Sequence, residues 1–238
     1  MNMNFRHVSY IVVVLVVASS LLLLLKPYLL WRGQGETLSG EVIVLPEPRL
    51  DSEVSVEEAI AKRRSIRSYR NEPLTLEGLS QLLWAAQGIT YSAKKYRSAP
   101  SAGATYPFEV YVVAGNVEGL EPGIYLYDPF THTLALVRKR DYRNALQKAA
   151  LDQEWVGKAA VDIVLVVFYD RTAHYYGERG IRYVHMEAGH IGQNIYLQAT
   201  ALGLGTVAVG AFDDASVAGI IGTDGVPLYI FPVGVPGG

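Results

Sequence analysis

Val8 to Leu25 is an 18-residue stretch whose only polar members besides Tyr10 are Ser9, Ser19 and Ser20, with Arg6 and His7 before it and Lys26 after it. As a helix it extends roughly 27 Å, close to the hydrocarbon thickness of a bilayer. The run from Tyr28 to Trp31 supplies aromatic interface anchors. A buried core helix does not need to be apolar on every side. A cleaved signal peptide has a shorter apolar region and a small-x-small site, where this chain reads Lys26-Pro27. The stretch therefore predicts an uncleaved single-pass membrane anchor over residues 1–31. Arg6 on one side is balanced by Lys26 and Arg32 on the other, so the charges do not orient it. Residues 32–50 read as an extended tether with Gly33, Gly35, Gly40, Pro46 and Pro48, and residues 51–238 as one globular domain.

The chain has no cysteine, which excludes disulfides, thiolate zinc sites, Fe–S clusters and Cys nucleophiles. Redox chemistry must then use a bound organic cofactor or other ligands. Lys and Arg number 21 against 23 Asp and Glu, a balance that argues against an electrostatic nucleic-acid binder.

In the domain, Ser55 and Glu58 have capping-box spacing and open a short helix through Arg63. Thr75 caps a second helix, with Leu76, Leu79, Leu82, Leu83 and Ala86 on one face and Gly88 as its stop. Strands are predicted at Phe108 to Ala114, Gly123 to Tyr127 and Thr133 to Val137. A helix near Asp141 to Leu151 precedes Val161 to Tyr169, a β-branched run that reads as a central strand buried on both faces. A long helix follows from Gly180 to about Leu202, then a strand within Gly203 to Gly210 and a last one at Leu228 to Val233. Without a regular βαβ alternation this is an α+β pattern, a mixed central sheet flanked by helices. Ile191, Ile195, Leu197, Ala199, Ala201 and Leu202 surround most of the long helix. A second apolar face needs a second partner, and a homodimer is the simplest closed solution.

Two segments stand out chemically. Lys62, Arg63, Arg64, Arg67 and Arg70 surround Ser65, either as a solvated stripe or as a pocket for phosphate oxygens. Ala99-Pro100-Ser101-Ala102-Gly103-Ala104 lets backbone N–H groups approach a flat or anionic ligand, or is a plain surface loop. Gly203-Leu204-Gly205-Thr206-Val207-Ala208 fits G-x-G-x-x-A formally, but a helix precedes it and a strand follows, the reverse of a dinucleotide site. Gly203 is better read as a helix stop. Glu187 and His190 form one E-x-x-H without the second copy a di-iron site requires, so no metal is expected.

The ordered set Arg63-Arg64-Ser65-Ile66-Arg67, Leu82 to Gly88, Pro100 to Pro107, Glu187-Ala188-Gly189-His190 with Gln193-Asn194, Gly203 to Thr206 with Gly210 to Asp214, and Pro232-Val233-Gly234 resembles the nitroreductase superfamily, and within it the SagB-type dehydrogenase branch. The resemblance spans residues 41 to 238. It implies non-covalent FMN at the interface of an intertwined homodimer. Arg63, Arg64, Ser65 and Arg67 would hold the phosphate and the polar edge of the flavin. Pro100, Ser101, Ala102 and Gly103 would reach the partner subunit's flavin. Gly210 and Ala211 would offer backbone groups near flavin N5. Arg67 is the candidate to stabilise the anionic reduced flavin. Tyr106, Phe108, Tyr175, Tyr176 and Phe212 would line the substrate side, with Tyr176 as acid or base.

Two departures from the family pattern matter. The chain ends Val235-Pro236-Gly237-Gly238 without the basic residues that many members use for the phosphate. Tyr175-Tyr176 stands where azoline-oxidising members resemble one another in a Lys-Tyr pair, which counts against peptide azoline oxidation. The resemblance thus implies an FMN oxidoreductase passing hydride from dissociable NAD(P)H to a small acceptor such as a nitro compound or quinone. Its alternatives are a dehydrogenase that returns electrons to oxygen and a flavin-binding module without turnover.

Overall fold

The computed structural model describes residues 41–237. Its main sheet contains β1 (Val42–Val44), β4 (Phe108–Ala114), β5 (Gly123–Asp128), β6 (Thr133–Lys139), β7 (Val161–Val167), β8 (Gly205–Thr206) and β9 (Val226–Gly234). Their order is β1-β6-β5-β4-β7-β9-β8. The ladders are antiparallel, and a parallel bridge from Ser65 to Thr206 adds a segment of opposite sense beside β8. A separate pair, β2 (Ile89–Tyr91) and β3 (Tyr96–Arg97), stands outside this sheet. The helices are α1 (Val56–Lys62), α2 (Leu76–Gln87), α3 (Arg143–Ala149), α4 (Glu154–Lys158), α5 (Asp170–Tyr176), α6 (Arg179–Ala201) and α7 (Asp214–Ile221).

β7 shows why the layers form. All its residues are buried, paired with β4 on one side and β9 on the other. Side chains alternate across the pleat, so Ile163 and Leu165 join a core with Leu79, Leu82 and Leu83 of α2 and Val184, Ile191 and Ile195 of α6. Val164 and Val166 join the opposite core with Leu146, Val156, Val217 and Ile221 from α3, α4 and α7. A strand covered on both faces has no place for the polar alternation of a half-exposed one.

Local signals fix the helix ends. Ser55 Oγ accepts the Glu58 N–H at 3.1 Å to start α1, and Thr75 Oγ1 accepts the Gly78 N–H to start α2. α6 ends in a paired motif: Gly203 N–H donates to Thr200 O and Leu204 N–H to Ala199 O. Gly203 has φ +69°, the left-handed conformation this ending requires. Gly88 ends α2 for another reason, since a Cβ there would lie 2.3 Å from Trp84 Cδ1.

Several boundaries differ from the sequence reading. The helix expected over Asp141 to Leu151 is broken after Ala149, because Leu151 and Asp152 adopt φ of +57° and +58°, and α4 starts afresh. Tyr169 does not extend β7 but enters the first turn of α5. Val42–Val44, within the stretch read as tether, pairs with β6. Asp213 caps α7, a helix the sequence reading did not anticipate, by accepting the Ser216 N–H.

Among the described residues no helix is long and apolar enough to cross a membrane. The longest described, α6 with 23 residues, carries Arg179, Arg182 and Glu187. The Val8 to Leu25 stretch lies outside the described residues. The expected single-pass membrane localisation is corrected on this finding: none of the described helices can span a bilayer, and the longest packs its buried stripe against the sheet.

Candidate active site

Beyond α1 the chain runs extended through the Arg/Ser cluster alongside β8, where the Ile66 N–H donates to Thr206 O at 2.9 Å. Gly205 permits this approach, since a Cβ there would fall 2.7 Å from the Ile66 side chain. Tyr196 of α6 organises the segment. Its hydroxyl lies 3.0 Å from Ser65 Oγ and accepts the Ala208 N–H at 2.8 Å, while the Arg63 guanidinium sits 5.1 Å from its ring centroid. Tyr69 fastens the far end, its hydroxyl donating to Ile66 O at 2.8 Å and lying 3.1 Å from Pro232 O. Burial, with the Asp162 carboxyl as a second cause, pushes the Tyr69 phenol upward. The phenol therefore keeps its proton, and with it the bond to Ile66, to higher pH than a free tyrosine would.

Arg67 points elsewhere, its guanidinium 5.6 Å from the Trp155 ring centroid. Arg67, Tyr69, Asp152, Gln153 and Trp155 line a cavity of about 570 Å³. Gln153 ties α4 to the segment after β8, its Nε2 donating to Ala211 O and to Ala150 O, both at 2.8 Å. The Asp213 N–H donates to Ala149 O at 2.9 Å and holds the same segment. Gly210 and Ala211 are exposed between these anchors. Arg63, Ser65, Arg67, Gly210 and Ala211 are thus linked through Tyr196, Trp155 and Gln153. Arg64 is turned back, donating to Ala61 O and Arg63 O at the end of α1.

The loop Pro100 to Gly103 forms a second group. The Ser101 hydroxyl accepts the Tyr106 N–H at 2.9 Å, and Ala102–Ala104 makes one 3-10 turn. Gly103 has φ +60°, and a Cβ there would lie 2.7 Å from the Tyr176 hydroxyl. Tyr176 therefore covers this loop, with its ring edge-on to Tyr183 of α6 at 5.1 Å. Thr105 and Thr172 fasten the loop to α5 through hydroxyls 2.8 Å apart. Tyr175 is exposed beside it. Phe108 is not on a substrate surface: it faces the core, paired with Val167 in the β4–β7 ladder and 2 % exposed. Phe212 packs against the core beside α7.

The two groups touch α6 at separate points. One meets Tyr196, the other Glu187 and Tyr183, so they stand roughly 14–20 Å apart along the helix. One chain does not bring all the expected site residues together.

The sequence reading did not single out Arg97, Gln153, Trp155 and Tyr196, and took Glu187 only as half of a metal motif, although these residues contact the segments expected to form the site. Glu187 is 2 % exposed on the inner face of α6. Burial pushes its carboxyl up to about 7, while the Ser101 hydroxyl, the Arg97 guanidinium and the Gln87 amide pull it down. Arg97 donates to Gln87 Oε1 at 2.8 Å and lies 4.5 Å from the Tyr106 ring centroid. The signal for Glu187 was its register: an acid between Val184 and Ile191 on the core stripe of a helix. His190, its E-x-x-H partner, is exposed, and among the described residues no group of three or more His, Cys, Asp or Glu is placed to hold a metal.

The profile of the Nitroreductase family matches residues 60–235. A protein of Methanocaldococcus jannaschii whose name assigns it to the nitroreductases is 43% identical over 195 residues, 82% of this chain and 98% of that protein. The microcin B17-processing protein of Escherichia coli is 28% identical over 156 residues, 63% of this chain but only 57% of its own length. A solved Ralstonia eutropha structure, described as a nitroreductase, superposes with TM-score 0.73 at 30% identity, covering 86% of this chain and 93% of that one.

Proposed function

The chain belongs to the nitroreductase family, and from that premise we propose that it is an FMN-dependent oxidoreductase passing hydride from NAD(P)H to a small organic acceptor in two half-reactions. The observation that carries this reading is the linked set of Arg63, Ser65, Arg67 and the exposed Gly210–Ala211 backbone beside a cavity of about 570 Å³. That set fits a flavin mononucleotide. Arg63 and Ser65 offer charged and hydroxyl donors to a phosphate, and Thr206 Oγ1 is buried near them without a hydrogen-bond partner. Arg67 offers a fixed cation for the polar edge of an isoalloxazine, and Gly210 and Ala211 offer backbone close to a flat ring.

When bound, FMN supplies the hydride acceptor and donor. The chain supplies the rest. Trp155 keeps the Arg67 guanidinium in place. Gln153 fixes the Ala211 carbonyl so that the neighbouring N–H groups hold their direction. Tyr196 sets Ser65 and the Ala208 amide together. The loop of Pro100, Ser101, Ala102 and Gly103, under Tyr176, meets α6 roughly 14–20 Å along the helix from Tyr196. A homodimer in which each loop completes the partner's site accounts for that spacing, and the exposed Val56, Ile60, Ile181 and Met186 of α1 and α6 give it apolar surface.

Similarity to the microcin B17-processing protein favours a second reading, dehydrogenation of a small molecule or peptide with oxygen as acceptor. Tyr176 would then take the substrate's proton. Anaerobic addition of NADH and NADPH, in parallel, to FMN-loaded protein separates the two. Bleaching of the flavin followed by recovery with a quinone supports the first reading; no bleaching by either nucleotide counts against it and leaves the second reading or a flavin-binding module without turnover. Protein that takes up no FMN defeats both.

A further inference from the structure

Among the described residues, Glu187 is a buried acid with no ion pair. It lies under the Pro100 to Gly103 loop, and its Oε1 is buried without a hydrogen-bond partner. Arg97, the nearest cation, does not pair with it, since its guanidinium donates to Gln87 Oε1. Gln87 Nε2, Arg97 Nε and Ser98 Oγ are likewise buried without partners. A buried polar atom left in this way is costly, and an orphaned carboxyl oxygen with the orphaned Gln87 Nε2 and Arg97 Nε beside it is a large concession for packing alone. An apolar residue at this register of α6 would remove it.

Ser101 connects this cluster to the surface. Its hydroxyl faces Glu187 from the loop above, is half-buried, and is fixed by the Tyr106 N–H. Glu187 is thus reached by Ser101 from the loop, Arg97 from β3 and Gln87 from α2, with Arg97 its only charged neighbour among the groups that shift it. We propose that Glu187 is the proton reservoir of the active site, delivering a proton through the Ser101 hydroxyl to the acceptor that is being reduced.

This deepens the oxidoreductase reading and rests on it. An acceptor reduced by two electrons takes one hydride, originating from NAD(P)H, and one proton. The proton leaves the Glu187 carboxyl for Ser101 Oγ as the Ser101 hydroxyl proton passes to the acceptor heteroatom. Glu187 is left as a carboxylate, stabilised by the Gln87 amide and the Arg97 cation, and regains a proton from solvent. With its carboxyl pushed up to about 7, the donor form is present below that pH and is lost above it. The hydride half-reaction with NAD(P)H needs no such donor. Tyr176, across Gly103, closes the loop from the other side and is a positioning group in this arrangement.

The test uses the full chain, wild type, Glu187→Gln, Glu187→Asp and Ser101→Ala, each loaded with FMN, in anaerobic stopped flow with menadione as acceptor. In the wild type, reoxidation is expected to fall about tenfold per pH unit above 7. Glu187→Gln and Ser101→Ala should be at least tenfold slower at pH 6 and flat with pH, Glu187→Asp should keep a pH-dependent profile, and flavin reduction by NADH should fall far less than reoxidation in each variant. Infrared titration of the cofactor-free protein gives an independent readout. A protonated carboxyl band fading near pH 7 is expected in the wild type and should be missing in Glu187→Gln. A wild-type reoxidation profile in Glu187→Gln, or an infrared band unaffected by that substitution, overturns the proposal while leaving the oxidoreductase reading intact. If no variant, wild type included, takes up FMN, the oxidoreductase reading falls and the relay built on it falls with it.

Discussion

Arg67 and Arg64 are three residues apart and chemically identical, yet the structure separates their roles. Arg67 extends over Trp155 into the cavity, whereas Arg64 closes the carbonyl end of α1. Arg67→Ala should weaken FMN binding by about 1.5–3 kcal/mol, the value of a hydrogen bond to a charged group. Arg64→Ala should change it several-fold less, its loss appearing as fraying of α1. Isothermal titration of both variants checks this, and equal losses would show that Arg64 turns toward the ligand. Asp162 makes a different point. It sits on β7 with both carboxyl oxygens buried and unpartnered, its nearest cation Arg143 already engaged with Asp141 and Ala159 O. Burial pushes the Asp162 carboxyl well above its usual range, so the folded state holds a proton that the unfolded chain releases. Stability attributable to this group is present in acid and declines as pH rises through the folded value. Asp162→Asn removes that decline. Urea unfolding at pH 6 and pH 9 should show a smaller difference in the variant than in the wild type, and an unchanged difference would mean that Asp162 is ionised when buried.

At the scale of elements, the turn carrying Gly210 and Ala211 has no ladder of its own beyond the Val209–Ile230 bridge, and is held from outside by α4 and the end of α3. Gln153→Leu removes one neutral hydrogen bond, worth about 0.5–1.5 kcal/mol. Faster amide exchange should appear at Gly210 to Phe212, with FMN binding weakened two- to tenfold and the melting temperature barely moved. Exchange confined to α4 would instead place the effect in that helix. This dependence explains what the sequence could disclose. β7 was legible because its apolar run from Ile163 to Val167 is uninterrupted, α6 because its apolar period is long, and the end of α6 because Gly203 is a chemical stop. α4, α5 and α7 are short, and β8 has two residues, so no period develops over them. Leu151 and Asp152, the pair that breaks the helix expected over 141–151, carry no glycine to announce their positive φ. Within the site, the Arg/Ser cluster and the small-residue loop were visible as composition. Tyr196, Trp155 and Gln153 were not, because each acts on a segment distant in sequence. Glu187 was visible as an acid on a core stripe but was read only as half of a metal motif.

At the scale of the whole molecule, the question is whether the two residue groups on α6 serve one cofactor or two. Their separation of roughly 14–20 Å along the helix is close to the length of an FMN molecule but leaves each group at a different end of the element. In a symmetric dimer with each loop reaching across, one subunit contributes Arg67 and the other Gly103 to every site. A side chain at Gly103 is strained at φ +60° and meets the Tyr176 hydroxyl 2.7 Å from the position of a Cβ. Arg67→Ala and Gly103→Val should therefore each abolish most activity by unrelated routes. Unfolding the two variants together and refolding them as a mixture gives hybrids in about half of the dimers. Each hybrid has one site carrying both defects and one carrying neither, so the mixture should regain about a quarter of the wild-type rate. Mixed variants that stay as inactive as the separate ones would show that a single chain builds the whole site. In that case the loop under Tyr176 must move along α6 to reach its own chain's Arg67.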